Sequence, residues 1–205
     1  MLIAASVVAG LLASAAVSPV NPSTPRIVVN VSAAPNVPSS VVAQALAEVD
    51  AIFRITGFAC VWRRDNTPFA TLQVVLGNDT GLTRGTSTPL GWIRFDDGRP
   101  DESIYVSYAN AERYLEESRL ITGSPLNMTV FERELLLGRA TGRALAHELG
   151  HYLLATKTHT KKGLLKAARS AQEFFAPDRS AFAVETAQRI QIVSRLLRVP
   201  VIASR

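Results

Sequence analysis

The stretch Ala144-Leu-Ala-His-Glu-Leu-Gly-His-Tyr-Leu-Leu154, with His159 just beyond it, decides how the rest of the chain is read. It contains H-E-x-x-H as His147, Glu148 and His151. In a helix, two histidines four apart stack on one face, one turn from each other. Their imidazoles can then hold a single metal ion on a rigid backbone. Glu148 falls about 100° round the helix from His147, beside such a metal rather than on it. That is where a base for an activated water has to stand.

Three features separate this pattern from a packed helix with two incidental histidines. The chain has 3 histidines, and all of them lie between positions 147 and 159. The flanking residues Leu145, Leu149, Gly150, Tyr152 and Leu153 are uncharged and mostly apolar. Buried histidines without partners are uncommon. The pattern also sits near the end of a long helical run, where the chain can turn back and bring a third ligand round.

Outward from this helix, the 205 residues suit one domain, and a hydrophobic content of 47% supplies a sizeable core. Residues 1–16 read as a secretory signal peptide: Leu2 to Val17 is uncharged and apolar, with small residues at Ala13-Ser-Ala15 and Pro19 following. The run is too short, and too rich in Ala and Ser, for a stable membrane span. A secreted or periplasmic protein is therefore expected. Cys60 is the only cysteine, so the fold must stand on its core or on a metal without an internal disulfide.

The formal charge is +5. Lys157, Lys161, Lys162, Lys166 and Arg169 cluster just after the histidine helix, a pattern that favours acidic substrates or anionic surfaces. No aromatic residues interleave with them and no nucleic-acid motif is present, so nucleic-acid binding is not expected.

Residues 24–205 read as the folded domain, with a sheet-bearing part to 155 and a helical C-terminal lobe from 156 to 205. Arg26 to Val31 is a β-branched strand. A helix follows, with Val42, Ala45, Leu46, Val49, Ile52 and Phe53 at helical spacing. Strands are expected at 58–62, 71–76, 90–95 and 103–107, then a short helix at 109–120. Thr129-x-x-Glu132 is a capping box opening the long helix, Val130 to about Ala155. Gly138, Gly142 and Gly150 weaken that helix, and close packing against the sheet is the expected reason. A last helix is expected with Ala183, Ala187, Ile190, Val193 and Leu197 on one side.

Strand, helix, three strands, another strand and then a long H-E-x-x-H helix resembles the metzincin clan of zinc metalloendopeptidases, with the matrixin-like members nearest. The resemblance covers roughly residues 26–165. It implies an α+β, zincin-like fold: a mixed, mostly parallel five-stranded sheet with an antiparallel edge strand, packed on the active-site helix, plus the small C-terminal lobe. It implies Zn²⁺ held by three histidines, a polypeptide substrate, and an edge strand that binds it. By position that strand carries Leu90, Gly91, Trp92 and Ile93 as substrate-binding residues. A monomer is expected.

Two departures stand out. Metzincins carry H-E-x-x-H-x-x-G-x-x-H. Here the glycine position holds Leu154, and the third histidine comes two residues late, at His159. A longer loop can avoid the positive φ that glycine serves. Gly163-Leu164-Leu165 stands where the family has a methionine turn, and leucine for methionine is nearly volume-conserving.

The resulting reading is a secreted zinc metallopeptidase, with His147, His151 and His159 as metal ligands and Glu148 as general base. Glu173, Glu185 and Asp178 are rival third ligands. Tyr152 reads as a packing residue. The competing function class is a non-catalytic, exported zinc-binding protein on a degenerate fold of the same kind. The missing methionine and glycine favour it; Glu148 opposes it, because a structural site has no use for a base.

Overall fold

The computed structural model describes residues 24–64, 70–81 and 88–198. The expected leader lies outside them. No described helix is long and apolar enough to cross a membrane.

Five strands form one sheet: β1 (Arg26–Ala33), β2 (Ala59–Arg63), β3 (Leu72–Gly77), β4 (Gly91–Asp96) and β5 (Arg99–Ser107). Their order is β2-β1-β3-β5-β4, with every pairing parallel except the antiparallel β4–β5 edge. The expected mixed sheet with an antiparallel edge strand is thus present. Alternation builds it. Ile27, Val29 and Val31 of β1 and Leu72, Val74 and Leu76 of β3 are all buried. Asp97 and Gly98 both take positive φ, 44° and 77°, and make the two-residue turn that joins β4 to β5. Such a turn matches the twist of paired strands, so β5 starts at Arg99, earlier than the alternation alone suggests.

The helices are α1 (Ser39–Phe53), α2 (Tyr108–Glu117), α3 (Arg119–Thr122), α4 (Val130–Leu154), α5 (Ala171–Phe175) and α6 (Thr186–Arg198). The helix expected at 109–120 is therefore two, parted at Ser118. The α4 helix opens on the expected capping box: Thr129 accepts from the Glu132 N–H, and Glu132 reaches back to the Thr129 N–H. It crosses α1 closely. A Cβ on Gly142 would lie 2.6 Å from the Ala45 carbonyl oxygen, and one on Gly138 would lie 2.5 Å from Gln44. Those two glycines therefore face a helix, not the sheet. Gly150 faces the Leu164–Leu165 turn, where a Cβ would lie 2.8 Å from Leu164.

Beside Gly142 a buried ion pair ties the two helices together. Arg143 Nε donates to Glu48 Oε1 at 2.8 Å, with both side chains fully buried. Arg179, from the C-terminal segment, donates to the second oxygen of Glu48 at 2.9 Å. Removing one member of such a group leaves an uncompensated buried charge.

The α6 helix begins at Thr186, after Ala183, and the apolar stripe expected on it is not its buried side. Ile192 is buried, whereas Ile190 and Leu197 are 65% and 66% exposed. Polar anchors set the rotation: Gln191 donates to the Leu154 carbonyl and Arg195 to the Tyr152 carbonyl at the end of α4. Those bonds satisfy terminal carbonyls that a helix cannot pair internally.

Candidate metal centre and cleft

At the C-terminal end of α4, His147 and His151 stack one turn apart with ring centroids 4.7 Å from each other. The helix ends at Leu154, and Ala155 takes the left-handed conformation, φ 48° and ψ 48°. The longer loop thus keeps the positive φ but moves it one residue on, to an alanine. This turn brings His159 back over the helix. The three Nε2 atoms lie 3.1 Å (His147–His151), 3.3 Å (His147–His159) and 3.3 Å (His151–His159) apart. Among the described residues they form the one cluster of His, Cys, Asp and Glu able to hold a metal.

The donor set can be tested against a cation. His147 Nδ1 lies 2.8 Å from the Leu164 carbonyl oxygen, and His151 Nδ1 lies 2.7 Å from that of Thr156. A carbonyl only accepts, so both rings carry their proton on Nδ1 and present a bare Nε2 to the centre. Burial pushes the His147 ring down to about 3, helped by its neighbour His151, and lowers His151 as well. Neutral imidazole lone pairs therefore face one another at near contact, an arrangement that a cation satisfies. Tetrahedral zinc with Zn–N bonds of about 2.1 Å requires nitrogens roughly 3.4 Å apart, and the spacing here fits.

The carbonyl that orients His147 belongs to the turn at Gly163-Leu164-Leu165. Leu164 and Leu165 are buried beneath the histidines. Arg169 clamps this turn. It donates to the Leu164 carbonyl at 2.9 Å and to that of Ala181 at 3.0 Å, and its guanidinium stacks 3.8 Å over the Phe182 ring. Sequence reasoning counted Arg169 as part of a basic cluster and missed this role. The partner is a backbone oxygen, which carries no residue signature.

Glu148 is buried and leans over the edge strand. A Cβ on Gly91 would lie 3.1 Å from Glu148 Cγ, so glycine makes the room. Burial pushes its carboxyl up to about 8, against a backbone hydrogen bond from Ile93 that pulls it down. The Leu90 carbonyl accepts from Ser107 of β5 at 2.9 Å. By alternation along an antiparallel pair, Gly91 and Ile93 turn their backbone groups to the free side of β4. Among the described residues no strand pairs with that side.

A cleft of ≈ 930 Å³ runs between β4 and the histidines. Leu90, Gly91, Trp92 and Ile93 border it, with Ala144 and Glu148 on its floor. The rival ligands are engaged elsewhere. Glu173 pairs with Lys166 at 2.8 Å and caps α5, Glu185 lies 3.7 Å from Lys162, and Asp178 accepts from Ser180. Tyr152 packs under the Arg195 guanidinium and does not border the cleft.

No family model matches this sequence, and no curated protein matches it. A solved structure does: the crystal structure of archaemetzincin from Methanopyrus kandleri, with a TM-score of 0.54 at 14% identity. The likeness covers 87% of this chain and 99% of that one. The fold is zincin-like. The similarity in architecture extends across nearly all of the archaemetzincin chain.

Proposed function

We propose that this chain is an exported zinc-dependent metalloendopeptidase. The observation that carries the reading is the meeting, in one cleft, of three converging Nε2 atoms, a buried carboxylate beside them and the free side of an edge strand. The helix order and the edge strand support the matrixin-like affinity. The apolar run at 1–16 supports export.

His147, His151 and His159 would hold the ion, leaving a fourth position open to the cleft. Bound zinc supplies Lewis acidity, which lowers the pKa of a water towards ~7 and polarises a carbonyl. The residues of the chain do the rest. An extended peptide adds to β4 through the outward N–H and C=O groups of Gly91 and the outward C=O of Ile93, as peptides add to open sheet edges. This places a scissile carbonyl beside Glu148. A cation held by the three histidines would favour the ionised form of Glu148, which then takes the proton of the attacking water and passes it to the leaving amine. The Ile93 N–H holds the carboxylate at the strand while it does so.

Replacing Glu148 with Gln keeps size and hydrogen bonding but removes the proton acceptor. Glu148→Gln is expected to lower cleavage of a mixed peptide library by roughly 10²–10⁴-fold while zinc content stays at the wild-type level. A zinc-loaded wild type that cleaves no peptide would overturn the reading and leave a zinc-binding protein without catalysis. Equal cleavage by Glu148→Gln would overturn the role of the base.

A further inference from the structure

Of the basic cluster after the histidine helix, Lys157, Lys161 and Lys162 are exposed, while Lys166 and Arg169 are drawn into the fold. Lys166 is paired with Glu173, and Lys162 lies 3.7 Å from Glu185. Arg169 is buried and held by three backbone carbonyls. On the α2 side of the cleft Arg113 donates to Thr88 and Asn110, with Glu117 one turn along the same helix. Among the cations that border the cleft, Lys157 alone has no carboxylate or hydrogen-bond partner among the described residues.

Its position is a consequence of the lengthened loop. Lys157 lies between Thr156, whose carbonyl orients His151, and His159. From there it reaches across the mouth of the cleft, and its ammonium stands 5.3 Å from the centroid of the Phe95 ring on β4. The contact biases a long, exposed side chain toward β4. An exposed cation–π contact is weak, so the ammonium is steered without being neutralised. A peptide lying along the free side of β4 passes beneath it.

We infer that Lys157 selects substrates that carry a carboxylate at the Phe95 end of the cleft. The inference rests on the peptidase reading and names the chemistry of its substrate. An acidic side chain and a free chain terminus offer the same group. In either case the carboxylate meets a cation that has no carboxylate partner at the rim of the cleft, where it gains attraction.

The test uses the zinc-loaded full chain and three short fluorogenic peptides of one parent sequence. One has internal Asp or Glu residues and an amidated end, one is neutral with a free carboxyl end, and one is neutral and amidated. For wild type, kcat/KM is expected to be roughly three- to tenfold higher for a carboxylate-bearing peptide than for the neutral amidated one. Which of the two is favoured identifies the source of the carboxylate. Lys157→Ala should abolish the preference, Lys157→Glu should reverse it, and added salt should shrink it. If all three peptides are cleaved alike, or Lys157→Glu leaves the ratio unchanged, the inference falls while the peptidase reading stands. If nothing is cleaved, the peptidase reading falls, and fluorescence anisotropy of the same peptides decides the inference alone. Tighter binding of a carboxylate-bearing peptide that Lys157→Glu removes would support it; equal binding would overturn it.

Discussion

At Arg143, α4 is closed on every side. Gly142 lets the α1 backbone approach, Glu48 meets the guanidinium, and Arg179 completes the group from the C-terminal segment. One turn later, at His147, the same helix presents a bare ring nitrogen to two others and opens onto a cleft. Both places bury polar groups. The first pairs them within the chain, to Glu48 and the Glu173 carbonyl, with Arg143 Nη2 alone left without a hydrogen bond, whereas the second orients them from behind, through the Leu164 and Thr156 carbonyls, and leaves their front for something that is not the chain. The stable turn fixes the helix against which the histidines are aimed.

The contrast can be broken first at the closed turn. Glu48→Ala removes the partner of both Arg143 and Arg179. Loss of one member of a buried pair costs about 3–5 kcal/mol, so a large drop in denaturant midpoint is expected, with zinc affinity of the folded fraction little changed. A parallel fall in zinc affinity would show that the two turns are not separable.

A pair of glycine substitutions sharpens it. Gly142→Ala forces a methyl group against the Ala45 backbone, where α1 cannot give way cheaply, and should destabilise by about 1–3 kcal/mol. Gly91→Ala meets Glu148 Cγ at 3.1 Å and the Tyr105 carbonyl oxygen at 3.2 Å, looser contacts that small shifts relieve. It should change stability by less than about 1 kcal/mol, yet lower peptide cleavage by moving the carboxylate off the Ile93 N–H. Unfolding and activity measured on both variants should give opposite orders.

A smaller effect follows from the titration of the open end without zinc. Glu148 is raised to about 8 from an ordinary 4.5, so the folded state holds the extra proton between those values. Stability then falls as pH rises through that window. His147 is lowered to about 3 from 6.5, so its contribution is lost as pH falls from 6.5 towards 3. Glu148→Gln removes the first slope only. The stability of metal-free Glu148→Gln relative to metal-free wild type should therefore increase from pH 4.5 to 8. Thermal unfolding across that range checks it, and a flat difference would contradict the burial of an ionisable carboxyl there.

The two ends also differ in how far they can be read from residues alone. His147, Glu148 and His151 are within one turn, so helical periodicity alone puts them together. The two strands were legible from their apolar runs and the turn between them, but that β4 is the antiparallel edge was implied only by the resemblance to metzincins. What escaped was long-range or backbone-borne. Glu48 and Arg143 are far apart in the chain and each looks like a surface charge. The glycines of α4 announce a close approach without naming α1 as its partner. The stripe on α6 is apolar enough to suggest burial, and only the carbonyls at the end of α4, capped by Gln191 and Arg195, decide which side turns inward. The fold was the more readable part, because periodicity encodes it. The carbonyls of Leu164 and Thr156, which aim the rings, leave no mark in residue identity.

The central claim is that His147, His151 and His159 together are a metal centre, and zinc stoichiometry tests it most directly. Wild type saturated with zinc and freed of excess should retain one ion per chain. His159 is exposed on a loop, so His159→Ala should fold normally and bind zinc on the order of 100-fold or more weakly. A wild type that retains no zinc, or a His159→Ala variant that holds it as tightly as wild type, would contradict the account.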